Sequence, residues 1–197
     1  MGELITWYFV KSGIGWAVVG AMAAATLGCI GSAKGLRISA GQAAGVLSEK
    51  PELFGKLFIL MALPGTQGFY GFVCAFMMCV WTGLLGKEAA VSPLVGFALM
   101  FVGIGCGLVQ WRSAIYQGET SAAAINLTAR RPDQGGRAIL LPALVETYAI
   151  MALLTALLLT MFLTPKGGLK FSNPEAKPDS PGPAAAAPAN PGEPAAK

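Results

Sequence analysis

The chain has 197 residues, of which 54% are apolar and 12% charged, with 26 glycines and a mean hydropathy of +0.60, a composition too apolar for a soluble domain that fits a polytopic membrane protein. Its net charge of +4 is divided among the connections and a tail, so it marks membrane topology and no nucleic-acid surface. The absence of histidine excludes histidine proton relays, histidine general bases and histidine-containing zinc sites, and Cys29, Cys74, Cys79 and Cys106 lack ligand-type spacing and read as small packing residues.

Residues 1–12 are expected to form an interfacial segment. Trp7-Tyr-Phe-Val10 suits a membrane–water boundary, and the acidic Glu3 argues against a cleaved leader. A first helical hairpin is expected over residues 13–86. Its first span runs from Gly13 to Gly31 and carries Gly20, Ala24 and Gly28 at intervals of four, a stripe that lets backbones approach closely in lipid. Lys34 to Lys56 reads as a polar connection, and the second span, Leu57 to Leu85, contains Leu63-Pro-Gly-Thr-Gln-Gly-Phe-Tyr70. A short turn through Gly86-Lys-Glu88 and Ser92-Pro93 leads to a second hairpin over residues 91–163. The third span starts at Leu94 and has close-packing glycines at Gly96, Gly103 and Gly107. It turns polar after Val109, through Gln110, Arg112, Gln117 and Glu119 to Asn126, without a helix breaker. One helix is therefore expected to run beyond its apolar part. Arg130 to Arg137 forms the next loop, and the fourth span is Ala138 to Leu163. Residues 164–197 carry many prolines among alanines, cannot bury a core, and are expected to be a disordered or extended appendage.

Glu146 is the only charged residue between Arg137 and Lys166. An ionised carboxylate near mid-bilayer costs about 2.5 to 3.5 kcal/mol on insertion scales, which makes it a functional candidate. Lys34, Arg37, Lys50, Lys56, Arg130, Arg131 and Arg137 lie in the two long connections, against Lys87 alone in the short one. The positive-inside rule then puts the long loops in the cytoplasm and both termini outside.

The chain also repeats itself. At an offset of 81 residues Lys50-Pro51 falls on Arg131-Pro132, Gly55-Lys56 on Gly136-Arg137, Ala62-Leu63 on Ala143-Leu144 and Thr66 on Thr147. A two-residue gap upstream brings Gly35 onto Gly118. In this register Glu146 falls on Gly65, so two hairpins share one ionisable site. The first copy keeps polar groups at the same depth. Leu63, Thr66, Gln67 and Tyr70 sit at i, i+3, i+4 and i+7, on one helix face. Pro64 has no N–H and leaves the Leu60 carbonyl without its helical partner, while Gly65 loosens the same turn. Gln117 stands about as far from its helix end as Thr66 and Glu146 do from theirs. One carboxylate, one hydroxyl and amide oxygens at one level suit a hard cation such as Na+. A proton would need only the carboxyl group.

These residues resemble a known family. Leu63-Pro-Gly-Thr-Gln-Gly-Phe-Tyr70, Gln117-Gly118 and Val145-Glu-Thr-Tyr-Ala149 are similar to the membrane rotor proteolipid, the c or K subunit, of V-type and A-type ATPases, above all to the sodium-pumping prokaryotic members. The resemblance covers Gly13 to Leu163. It implies an all-α fold of four transmembrane helices in two duplicated hairpins, assembled as a homo-oligomeric ring in a prokaryotic plasma membrane. It implies Na+ bound by the Leu63 carbonyl, Thr66, Gln67, Gln117 and Glu146, with Tyr70 hydrogen-bonding the carboxylate. On this point it favours the Leu63 carbonyl over the Leu60 carbonyl that the proline rule alone indicates.

The resemblance further implies that the first and third helices line the inside of the ring. Glu146 would carry its ion past a stator membrane subunit with an essential arginine, and the central stalk would dock on the loops around Gly35 to Pro51 and Arg130 to Gly136. The chain has no Gly-Lys-Ser/Thr phosphate loop, so it is expected to carry ions within an enzyme complex and to do no chemistry itself. Arg112 departs from the pattern. It lies five residues from Gln117, Glu119 is its expected ion partner, and a shifted register would make Gln110 the competing ligand. Two alternatives stand beside the sodium rotor: the same rotor coupled to H+, and a non-rotary four-helix channel or carrier.

Overall fold

A computed structural model describes residues 2–86 and 91–164. The Pro/Ala-rich tail beyond Thr164 and the turn residue Lys87 lie outside the described residues. Everything regular within them is helical. In chain order the elements are α1 (Gly2–Thr6), a π-helical turn (Trp7–Lys11), α2 (Ile14–Glu49), α3 (Phe54–Ala62), α4 (Thr66–Trp81), α5 (Pro93–Arg130), α6 (Gly135–Ala138) and α7 (Leu140–Leu163). Among the described residues, four stretches are long and apolar enough to cross a membrane: Ile14–Glu49, Pro51–Trp81, Pro93–Arg130 and Pro132–Leu163.

The first segment is tied to α2 and α5 through an aromatic chain. Trp16 donates its indole N–H to the Phe9 carbonyl at 2.9 Å and meets the Phe9 and Phe97 rings edge-on. Gly13, at φ 64°, makes the sharp turn between the π-helical segment and α2 that only a residue without a β-carbon adopts freely.

The expected polar connection from Lys34 to Lys56 is instead mostly helix. α2 continues to Glu49 and stops only before Pro51. The charges suggest a loop, but Lys34 and Arg37 are not buried while Gly35, Ser39 and Ala43 form a buried stripe at helical spacing. The expected loop around Gly35 to Pro51 thus shrinks to the residues at Lys50. Likewise α5 runs unbroken from Pro93 to Arg130, as its lack of a breaker implies.

The duplication is visible in the backbone. α2 and α5 end at Lys50 (φ −133°, ψ 68°) and Arg131 (φ −135°, ψ 79°), and each residue is followed by a proline-started 3₁₀ turn, Pro51–Leu53 and Pro132–Gln134. At this basic end the Lys50 ammonium donates to the Ala129 carbonyl at 2.7 Å and Lys56 to the Pro132 carbonyl at 2.9 Å, placing cations at the carbonyl end of α5. α2 and α5 form the most extensive helix pair, in which Gly13 lies against Gly96, Gly20 against Gly103 and Gly35 against Gly118. Each of these pairs is separated by 83 positions, so the two helices are parallel and in register.

Two apolar clusters hold the four spans together. One, near the basic end, contains Leu53, Leu57, Leu60, Ala124 and Ile125, and the other contains Ala21, Ala24, Cys74, Met78, Leu99 and Cys106. Between them lies a layer of buried polar side chains: Ser32, Gln67, Gln110, Ser113 and Gln117.

Candidate ion-binding site

The polar layer is built around the break in the second span. Pro64 cannot donate, and Leu63–Gly65 tightens to a 3₁₀ turn that separates α3 from α4. The Leu63 carbonyl accepts from the Thr66 backbone N–H and, at 3.1 Å, from the Thr66 hydroxyl. The groups disturbed by the break are met by α2. Ser39 donates to the Met61 carbonyl at 2.9 Å, and the Ser32 hydroxyl accepts from the Gly68 N–H at 2.7 Å while donating to the Gly65 carbonyl at 3.3 Å. Ser32 therefore caps the first turn of α4 from a different helix. Ser32→Ala leaves a buried N–H without an acceptor, a loss of about 1 to 3 kcal/mol. The expected result is a lower thermal unfolding midpoint for the detergent-solubilised protein than for wild type. An unchanged midpoint contradicts the capping role.

Glu146 sits in the second turn of α7, half-buried. Its Oε1 accepts from the Tyr70 hydroxyl at 2.6 Å, and its Oε2 receives a long contact of 3.5 Å from the Gln117 amide nitrogen. Gln117 also donates to the Pro142 carbonyl at 3.1 Å, and the Gln67 amide donates to the Gln117 amide oxygen. Gln67 and Gln117 are fully buried. The Gln67 amide oxygen has no donor among the described residues. A buried acceptor without a donor costs about 1 to 3 kcal/mol unless something positive meets it.

The sequence-predicted residues thus fall into one constellation: Gln67, Gln117, Glu146 and Tyr70 form a continuous string, with Thr66 and the Leu63 carbonyl paired at the break beside Tyr70. Gln110, the competing glutamine, lies further from the basic end and donates to the Ala149 carbonyl at 2.9 Å. Gln117 is the glutamine within reach of the carboxylate. The expected Arg112–Glu119 pair is not formed. The Arg112 guanidinium instead bonds the Tyr116 hydroxyl at 2.6 Å and lies 5.0 Å over the Tyr116 ring, because one helical turn brings that partner closer than two. Ser32 is not among the residues that the sequence points to. Its signal is the stripe Gly28, Ser32, Gly35, Ser39, in which the serines hold positions where the helix presses on the proline break.

The family model described as the ATP synthase C subunit matches residues 12–78 and again 94–159, once for each hairpin. The chain belongs to this ATP synthase proteolipid family. Among similar proteins is the K subunit of the V-type sodium ATPase of Enterococcus hirae, 38% identical over 142 residues, which are 72% of this chain and 88% of that protein. Another is the K subunit of the A-type ATP synthase of Methanocaldococcus jannaschii, 37% identical over 150 residues, 75% of this chain and 64% of that protein. The c subunit of the ATP synthase of Campylobacter lari is 33% identical over 89 residues, 42% of this chain and 83% of that protein. This family member is a rotor-ring subunit of a V/A-type rotary ATPase, its ring-forming membrane part and not the part that hydrolyses or makes ATP. The non-rotary channel reading is set aside by the same finding.

Proposed function

We propose that the rotor proteolipid binds Na+ on Glu146 and carries it, with the Leu63 carbonyl, Thr66, Gln67 and Gln117 as the other oxygen ligands and Tyr70 holding the carboxylate in place. The observation that carries this reading is the fully buried Gln67 amide oxygen that lacks a donor among the described residues, within the string of amides leading to the carboxylate. A proton would need only the Glu146 carboxyl group, and the amide and hydroxyl oxygens gathered beside it would be superfluous. A cation between the two meets both, in the oxygen-only surroundings that hard ions prefer. The name of the Enterococcus hirae relative, a sodium ATPase subunit, supports the same assignment.

On this reading the two hairpins, residues 13–86 and 91–163, turn as one ring element, flanked by the interfacial segment 1–12 and the tail 164–197. The basic end faces the cytoplasm, both termini face outward, and the central stalk docks where Lys50 and Arg131 end their helices. Ion exchange takes place at a stator membrane protein, whose arginine stabilises the empty carboxylate. Between exchanges the ion offsets the charge of Glu146, so that the carboxylate can face lipid.

Carbodiimides react with protonated carboxyl groups, so bound Na+ should shield Glu146. The expected result, at one fixed pH, is that modification of Glu146 by dicyclohexylcarbodiimide slows progressively as sodium is raised, while potassium has little effect. Modification that is indifferent to sodium would assign the site to H+.

A further inference from the structure

The packing of α5 and α7 leaves a groove on the side away from α2 and α4. It is open, with a volume of about 470 Å³, and is lined by Arg112, Tyr116, Val145 and Tyr148 among others. The opposite edge of the molecule, between α2 and α4, has a groove of about 540 Å³ lined by Cys29, Ser32, Gly65, Phe69 and Phe72. Phe69 is 72% exposed there, and Phe72 56%. Arg112 lines the first groove, has Tyr116 as its only hydrogen-bond partner among the described residues, and pairs with no described carboxylate. One face of its guanidinium is thus covered by the Tyr116 ring. An arginine at this depth is costly against lipid and requires a neighbour that accepts a delocalised cation.

The two grooves lie at the same height. A β-carbon at Gly28 would meet the Gln67 carbonyl at 2.9 Å and the Gln110 β-carbon at 3.6 Å, and Gln110 bonds the Ala149 carbonyl, so residues 28, 67, 110 and 149 lie near one level. Arg112, Cys29, Phe69 and Tyr148 all fall within two residues of it, about 3 Å along a helix axis. Copies in a closed ring are related by rotation, so every residue keeps its height from one copy to the next, and one edge of each copy meets the other edge of its neighbour.

We infer that the joint between ring copies is made by seating the Arg112–Tyr116 pair on the next copy's α2/α4 edge, with the guanidinium stacked on Phe69 of that copy. The second copy supplies an aromatic ring for the guanidinium face that Tyr116 leaves open, and it closes the groove to lipid. Phe69 and Phe72 lose their exposure in the same contact. A planar guanidinium suits this role better than an ammonium, because it stacks on one ring while hydrogen-bonding through its edge.

The test uses full-length protein in mild detergent. Arg112→Cys and Phe69→Cys are introduced together and singly, each with Cys29→Ser to remove the exposed native thiol, and treated with a short bifunctional thiol reagent. The expected result is a ladder of cross-linked dimers and higher species from the double variant and none from either single variant. Rings that are intact by native mass spectrometry but give no ladder would overturn the inference. A second measurement is a double-mutant cycle of Arg112→Leu and Phe69→Leu, read as the temperature at which rings dissociate to monomers. A double variant no weaker than the worse single variant supports the contact, and fully additive losses overturn it.

Discussion

Glu146→Gln is expected to yield a ring that assembles and carries no ions. The amide has nearly the shape of the carboxylate and can still accept from the Tyr70 hydroxyl, which lies 2.6 Å from Oε1. What it lacks is the negative charge. In the polar layer no other described side chain is acidic, so a cation there loses the one group that offsets its own charge. The desolvation penalty for an uncompensated monovalent ion is several kcal/mol, so transport should fall by at least about 100-fold. The measurement is ATP-driven ion uptake into liposomes containing the complete complex, with native mass spectrometry of the extracted ring as the control for assembly. Glu146→Asp keeps the charge but withdraws it by one methylene, and should retain measurable uptake with a weaker apparent affinity. If the Gln variant still pumps, Glu146 is not the carrier.

The second large effect concerns packing. A β-carbon at Gly103 would run into the Gly20 backbone of the neighbouring helix, where no side chain can swing aside. Gly105, two residues on, has nothing within 4 Å of its would-be β-carbon. Gly103→Ala should therefore force α2 and α5 apart and destabilise the protein by about 2 to 3 kcal/mol or more. Gly105→Ala, on the same helix, should be neutral or slightly stabilising, through helix propensity. The comparison is of thermal midpoints for the two variants in the same detergent. Equal midpoints would mean that the in-register glycine contacts do not set the helix spacing.

Most of the architecture can be read from the residues, because lipid leaves few options for the backbone. Continuous apolar runs must be helices, Pro64 must break the second of them, and the small-residue stripes of the first and third spans must be where backbones meet. Glu146, Gln67 and Tyr70 are legible for the same reason: polar groups at one depth in an apolar chain stand out. Charge misleads at residues 34–49. Lys34 and Arg37 look like loop residues, yet a membrane helix that extends into water carries charges on its outer face and buries a thin stripe, here Gly35, Ser39 and Ala43. Arg112 misleads through its pairing. Sequence distance allows Glu119, whereas the Tyr116 hydroxyl lies one turn away and also offers an aromatic face. Ser32 is hidden because a serine within a glycine stripe looks like one more small residue until the proline break is placed opposite it.

The most direct test is an electron cryo-microscopy map of the assembled ring prepared in sodium and again in a sodium-free buffer. The expected result for sodium carried on Glu146 is a density peak in sodium that is bounded by the Glu146 carboxylate, the Gln67 and Gln117 side chains, the Thr66 hydroxyl and the Leu63 carbonyl, and that is lost without sodium. A map in which those oxygens close on one another with no peak between them, identical in both buffers, would contradict it.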